Sequence, residues 1–395
     1  MNPIAIPPPS LLPRLHVLKY NTLNLDDLIF DAVSDSGDGD GDGNDNGVNE
    51  ESALTLALEG VLKSEGKENV NSDSDSDSER QLLIDTFAKY IFEGDKTASE
   101  ALLMALLSAA ERDHRYGNKA IQMPSGATLG CGSINFVLSD RESCNKLQER
   151  LRDVLTMIAP VVASVNLSLS ALNGLEMNIN MNSNESIISP RKNASNRLGP
   201  SVLQLPRASC LLINQAKLLE GRVNHSGERA LTSLKKITTT HNVPYQFDQM
   251  EIDFEADHRV IVISSNERSA SGEVGSKLLP CSMTIKLNLQ GMAQDSTMDD
   301  IIPPAVISRI RRYISKCRSP HKSVAMPKVM LERSQNDFIK WRKNGLPGFG
   351  RDIEEHDFHR WLLLTRLQAR SRNGAFKADL KDWKNAIRLD GDMRG

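Results

Sequence analysis

Between residues 200 and 290 the chain carries short, unbroken apolar runs of the kind that form strands covered on both faces. Cys210–Ile213 and Val260–Ile263 each end in small polar residues, Asn214-Gln215 and Ser264-Ser265. Between them Ala230, Leu231, Leu234 and Ile237 fall at helical spacing within Gly227–His241. Strand, helix and strand with polar residues at the strand ends is the architecture of an α/β nucleotide site.

The pattern extends in both directions. Upstream it predicts a helix over Glu79–Phe92, with Leu82, Leu83, Thr86, Phe87, Tyr90 and Ile91 on one face. A second helix, capped by Thr97 or Ser99, is expected to run to Arg112. Ile134–Leu138 reads as a strand, Glu142–Ile158 as a helix and Val161–Leu169 as a strand; Leu278–Leu289 reads as a further strand at an edge. From Pro303 the spacing becomes helical: Ala305–Lys316, Pro327–Asn344, Glu354–Arg372 and Ala378–Arg388. Phe338, Trp341, Trp361, Leu362, Leu364, Leu367, Trp383 and Ile387 supply the apolar faces of a helical lid.

Nucleotide chemistry needs groups that this pattern does not deliver. A phosphate loop follows a strand and opens a helix. That place holds Ser139-Asp140-Arg141-Glu142-Ser143, with no glycine, no Lys-Ser/Thr pair, and an acid where phosphate would sit. The strand ending at Ile213 meets Asn214-Gln215 instead of the acidic pair that holds magnesium. Gly126–Gly132 is glycine-rich but precedes its strand, which suits a flexible turn. Asn266, where a nucleotide-sensing polar residue would stand, reads as a turn residue.

Other candidate sites are weaker still. His356 and His359 stand three apart near a helix start with no third ligand evident, and a solvated helix face is expected there. Asp38, Asp40 and Asp42 imitate the start of a calcium loop, but Asn49 replaces its bidentate glutamate. Cys131, Cys144, Cys210, Cys281 and Cys317 lie far apart, favouring buried thiols over disulfides or zinc. No serine or cysteine sits in a nucleophile motif. No catalytic residue, cofactor, metal or small-molecule substrate is therefore assigned, and an enzyme is not expected.

Charge adds an asymmetry that the net value of −3 conceals. Met1–Glu100 holds 21 acids against 7 Lys or Arg, a net −14; Ala305–Gly395 holds 21 bases against 10 acids, a net +11. Asp31–Glu79, rich in Ser, Asp and Gly, cannot bury enough apolar surface to offset ordering and is expected to be disordered. Ser72, Ser74, Ser76 and Ser78 alternate with acids, as substrates of acid-directed kinases do. Arg309, Arg311, Arg312, Lys316 and Arg318 form one basic cluster, and Arg360, Arg366, Arg370 and Arg372 another. Neither is accompanied by a stacking platform or groove-reading motif, so salt-bridged or solvated faces, or a surface for an acidic protein, are expected. The acidic arm is expected to fold back on these clusters. No signal pattern opens the chain, no apolar run approaches a membrane span, and Asn184-Glu185-Ser186 and Asn224-His225-Ser226 match the glycosylation pattern without an export context.

The quoted stretches carry a resemblance. Leu203-Gln204-Leu205-Pro206, Cys210–Asn214, Gly221, Val243–Phe247 and Val260–Ser265 resemble the C-terminal half of the minichromosome maintenance complex-binding protein family. So do Ala98–Ser108, the helices around Phe338 and Asp357–Leu362, and Pro13–Val17, which looks like the family's linker. The further N-terminal half of full-length members is not represented in this sequence. The resemblance implies a nuclear protein that binds the subunits of the replicative helicase. It also implies roles in unloading or remodelling that complex late in replication, in protecting unassembled subunits, and in sister-chromatid cohesion, with indirect chromatin association.

The expected architecture is thus a disordered Pro-rich, acidic arm (1–78), a degenerate AAA-like, P-loop NTPase-like α/β domain (79–290) and a helical lid (291–395). Two other readings stand beside protein recognition: nucleic-acid binding through the basic C-terminal helices, and a residual ATPase of the AAA class.

Overall fold

The computed structural model describes residues 72–394 except 114–118, 175–187, 192–197, 200, 220, 248–249, 267–277, 290–301, 319–322, 347–348, 350–351 and 373. The arm expected over 1–71 lies outside the described residues, as does the calcium-loop imitation. The last residues of that expected arm are helical: α1 spans Ser72–Tyr90 and begins inside the Ser/Asp run, seven residues before the apolar spacing starts at Glu79.

Helix α2 (Lys96–Leu107) is capped by Asp95, whose side chain accepts from the Ala98 N–H, and not by Thr97 or Ser99. Every residue from Ala98 to Leu107 is buried. An Ala/Leu helix that is apolar on all sides belongs inside a core, and α2 is enclosed accordingly. It ends at Leu107 instead of reaching Arg112, which lies in a short hairpin of β1 (Arg112–Asp113) and β2 (Lys119–Ala120).

The sheet follows from the continuous apolar runs. β3 (Ser133–Leu138), β4 (Val162–Asn166), β5 (Cys210–Asn214), β8 (Arg259–Ser265) and β9 (Met283–Lys286) form one five-stranded sheet in the order β4-β5-β8-β3-β9, all pairs parallel. Its register sets Asn135 and Ile213 on either side of Val262. Side-chain alternation divides the runs between two cores. Ile134, Phe136, Leu212, Ile261 and Ile263 face a cluster containing α1, α2 and α3 (Arg141–Ile158). Leu211, Ile213, Val260 and Val262 face α5 (His225–Thr239) with Val243. Fully burying each such side chain contributes roughly 1.5–3 kcal/mol. The edge position expected for the last strand holds, over the shorter span Met283–Lys286.

Two elements depart from the apolar pattern. The strand expected over Val161–Leu169 stops at Asn166, and a short helix, α4 (Leu169–Asn173), follows, capped by Ser168. The stretch before Val260 forms an antiparallel hairpin of β6 (Asn242–Phe247) and β7 (Met250–Glu255), separate from the main sheet.

The C-terminal helices are α6 (Pro304–Arg318), α7 (Lys328–Asn344), α8 (Glu355–Ser371) and α9 (Leu380–Arg394). Their aromatic residues form a third cluster: Trp361 and Trp383 meet edge to face at 6.1 Å, and Trp341 lies 5.7 Å from Trp361. The indole N–H groups of Trp361 and Trp383 donate to Asp390 and Asp337. Ile310, Tyr313, Ile314, Leu364, Leu367, Ala386 and Leu389 belong to the same buried cluster as the sheet residues Phe136 and Ile261.

Candidate functional site

In open parallel sheets, ligands bind outside the carboxyl ends of the strands. Here those ends bring together the residues singled out in the sequence. Leu138 leads directly through Ser139 and Asp140 into α3, as a phosphate loop would, but Asp140 itself occupies the helix terminus. Its carboxylate accepts from the Ser143 backbone N–H at 2.8 Å, the Ser143 hydroxyl at 2.7 Å and the Ser139 hydroxyl at 3.0 Å. Hydrogen bonds from Ser143, backbone first and hydroxyl second, hold its pKa below the usual carboxylate range. The helix N-terminus, where a phosphate would find donors and a favourable dipole, already holds a negative charge.

Asn214 is equally occupied. Its amide nitrogen donates to Asn145 at 3.0 Å and Gln148 at 2.6 Å, and its oxygen accepts from the Ala216 N–H at 2.8 Å. Gln148 donates onward to Ser164, so the amides tie β5 to α3 and β4. The sequence marked Asn214 but not its partners, which lie nearly seventy positions away on the inner face of α3. Gln215 is buried, and its side-chain amide has no hydrogen-bond partner among the described residues. Asn266 is an exposed residue just past β8 whose N–H donates to the Leu138 carbonyl, extending the β3–β8 ladder by one bond.

The glycine-rich run forms a packed turn. Gly130 has φ +82°, and a Cβ there would come within 2.6 Å of the Ala109 carbonyl. His356 and His359 are both exposed; His356 lies near Glu354 and Asp357, and among the described residues no group of His, Cys, Asp or Glu is arranged to hold a metal. Burial raises the pKa values of the Cys281 and Cys317 thiols to about 12 and also raises that of Cys131. These thiols are poor nucleophiles at neutral pH.

The basic clusters are largely salt-bridged, one of the readings expected of them, and most of their members face inward. Arg318 is 2% exposed and pairs with Asp257 at 2.8 Å. Arg370 donates to the Leu107 and Ala109 carbonyls, while Arg366 pairs with Glu111 at 2.8 Å. Arg360 is held by Asp357 and Asp390, and Arg372 by Asp382. Arg311 donates to the Met157 carbonyl. Of the set, Arg309, Arg312 and Lys316 are exposed, along one face of α6. A patch for phosphates or for an acidic arm is therefore much narrower than the charge count suggests.

At the opposite, amino-terminal edge of the sheet two adjoining cavities of about 310 and 320 Å³ share Cys281, Ser282, His356 and Arg360. Met123, Leu129, Met326 and Leu331 line the first, and Lys286, Asp390 and Arg394 the second. Among the described residues no helix is long and apolar enough to cross a membrane.

At the strand ends Asp140 and Asn214 are engaged by neighbouring groups, while the buried Gln215 amide has no hydrogen-bond partner among the described residues. Comparison with known proteins agrees with the motifs. A profile of the family described as Mini-chromosome maintenance replisome factor matches residues 2–394. The chain is 22% identical over 389 residues to the Mini-chromosome maintenance complex-binding protein of Homo sapiens, covering 97% of this chain and 51% of that protein. It is 22% identical over 301 residues to the protein of that name from Dictyostelium discoideum, covering 72% and 37%. The Arabidopsis thaliana relative is 23% identical over 297 residues, covering 75% and 44%. The chain thus spans about half the length, or less, of the curated relatives it matches. With nearly its whole length matched, it belongs to the Mini-chromosome maintenance replisome factor family.

Proposed function

We propose that this protein is a non-catalytic binding partner of the minichromosome maintenance complex that regulates DNA replication. The carrying observation is the match over residues 2–394 to a family whose curated relatives are named for binding that complex. The α/β unit is read as a degenerate AAA-like, P-loop NTPase-like domain. In support, β8 lies between β3, which leads into the phosphate-loop position, and β5, which ends where the acidic pair would be. Asp140 at the α3 terminus and the engaged Asn214 amide argue against a residual ATPase. The inward-facing arginines argue against nucleic-acid binding as the main activity.

Within this reading the protein acts in the nucleus, in unloading or remodelling the helicase late in replication, in protecting unassembled subunits and in cohesion. A lost-ATPase domain would serve there by mimicking a neighbouring subunit at an interface. Affinity purification from nuclease-treated nuclear extract tests the proposal. Helicase subunits are expected among the recovered proteins. Their absence, together with tight duplex binding at physiological salt, would transfer the function to DNA.

A further inference from the structure

The β6–β7 hairpin is amphipathic in the inverse sense. β7 reads Met-Glu-Ile-Asp-Phe-Glu, and strand alternation puts its acids on one face and its apolar residues on the other. The acids are paired but exposed. Lys236 of α5 binds both Glu251 and Asp253, while Glu255 pairs with Arg112 at 3.1 Å and accepts from the Ala120 N–H at 3.0 Å. The apolar residues are left in water: Met250 is 59% exposed, Ile252 38% and Phe254 49%. Tyr245 and Phe247 of β6 stand opposite Ile252 and Met250, and Tyr245 packs edge-on against Phe254 at 4.5 Å, extending the same apolar face. Among the described residues β7 pairs with β6 alone and its other edge carries no strand. Natural edge strands usually point charge outward; all six residues of β7 are exposed, so this one shows its hydrophobes as well as its acids.

The charges select the occupant. Asn242–Glu255 contains four acids and no Lys or Arg, and the neighbouring cations Lys236 and Arg112 offset part of that charge. Antiparallel self-pairing that overlaps the stripes best, Met250 opposite Phe254 of a second copy, would set Glu251 opposite Asp253. Like charges directly opposite one another destabilise a sheet. A strand with bases at the alternate positions removes the conflict and covers the apolar face. We propose that β7 is a docking edge for an extended segment of a partner protein in which apolar residues alternate with Lys or Arg, added as a third strand of the hairpin. The inference stands whichever protein supplies the segment.

Fluorescence anisotropy with the full chain and a labelled eight-residue peptide of alternating Val and Lys tests it. Saturable binding is expected. A Val/Glu peptide, and the Val/Lys peptide with a central Val changed to Pro, should each bind at least about tenfold more weakly, because one restores the charge conflict and the other removes a ladder donor. Ile252→Lys and Phe254→Ser should each weaken the Val/Lys peptide at least about fivefold while keeping the melting temperature of the unaltered chain, as surface changes do. Equal binding of all three peptides, or no response to either variant, overturns the proposal. So does concentration-dependent dimerisation that Ile252→Lys abolishes, which would make the edge a self-interface.

Discussion

At the amino terminus of α3 the Asp140 carboxylate takes the backbone N–H that a bound phosphate would take. Asp140→Ala should cost about 1 kcal/mol of stability through the lost cap. It should still confer no thermal shift with magnesium-ATP at about 1 mM, since neither the P-loop lysine nor the acidic pair is present. A clear ATP-dependent rise in melting temperature would refute that expectation. The acid in this place was readable because it follows an unmistakable strand. The hydrogen bonds that hold Asn214 were not, because they join segments distant in sequence. His241 had no sequence signal at all. It adopts φ +56°, is 1% exposed, and both ring nitrogens lack hydrogen-bond partners among the described residues. Burial pushes its pKa from 6.5 down to about 4, with the Asp257 carboxylate opposing in part; burial also lowers that of His258. The unfolded chain then takes up these protons first as the medium acidifies. Stability from the neutral His241 ring is full above pH 6.5 and is lost as pH falls towards about 4. Urea midpoints measured at about pH 7.5 and 5 should therefore differ, and His241→Asn, which tolerates the left-handed backbone, should shrink the difference. An unchanged difference would assign the pH response elsewhere.

Among elements, α2 shows how the basic composition is used. Its carboxyl end and the residues just beyond present carbonyls inside the protein, and arginines from three elements meet them. Arg259 of β8 donates to Leu106, Arg370 of α8 to Leu107 and Ala109, and Arg318 of α6 to Ser108. Cations at the negative end of a helix dipole are favourable, and buried carbonyls require donors. Glu111, fully buried at its side chain, balances Arg366 and Arg370. Glu111→Gln should thus destabilise by about 3–5 kcal/mol, the usual cost of leaving a buried partner charge uncompensated, as read from urea denaturation. A loss below about 1 kcal/mol would show that Arg366 and Arg370 find other partners. The sequence announced the density of arginines but not their direction, because direction depends on which helix passes beneath them. The partners of the β7 acids, Lys236 and Arg112, were likewise not readable from the sequence. The main strands were legible because unbroken Ile, Leu and Val runs admit few alternatives.

On the scale of the molecule, much of the basic end is matched inside the folded part by Glu111, Asp257, Asp357, Asp382 and Asp390. What remains for the acidic arm is the stripe Arg309, Arg312 and Lys316 on α6. If that stripe holds the arm, deleting Asp31–Glu79 should raise affinity for an acidic partner surface, most clearly at low salt, and phosphorylation of the Ser72–Ser78 run in the intact chain should lower it. Equal affinities with and without the arm would reduce it to a spacer. The continuity of the main core, from Phe136 and Ile261 to Tyr313, Leu364 and Leu389, has a kinetic meaning. Separating α6, α8 and α9 from the sheet would uncover that core and break Arg318–Asp257 and Arg366–Glu111 together. Their amides should exchange with solvent deuterium through the same cooperative opening as those of β3 and β8. A partner clamped on either end would then slow exchange at both, so protection far from a footprint would mark shared stability and not a second contact.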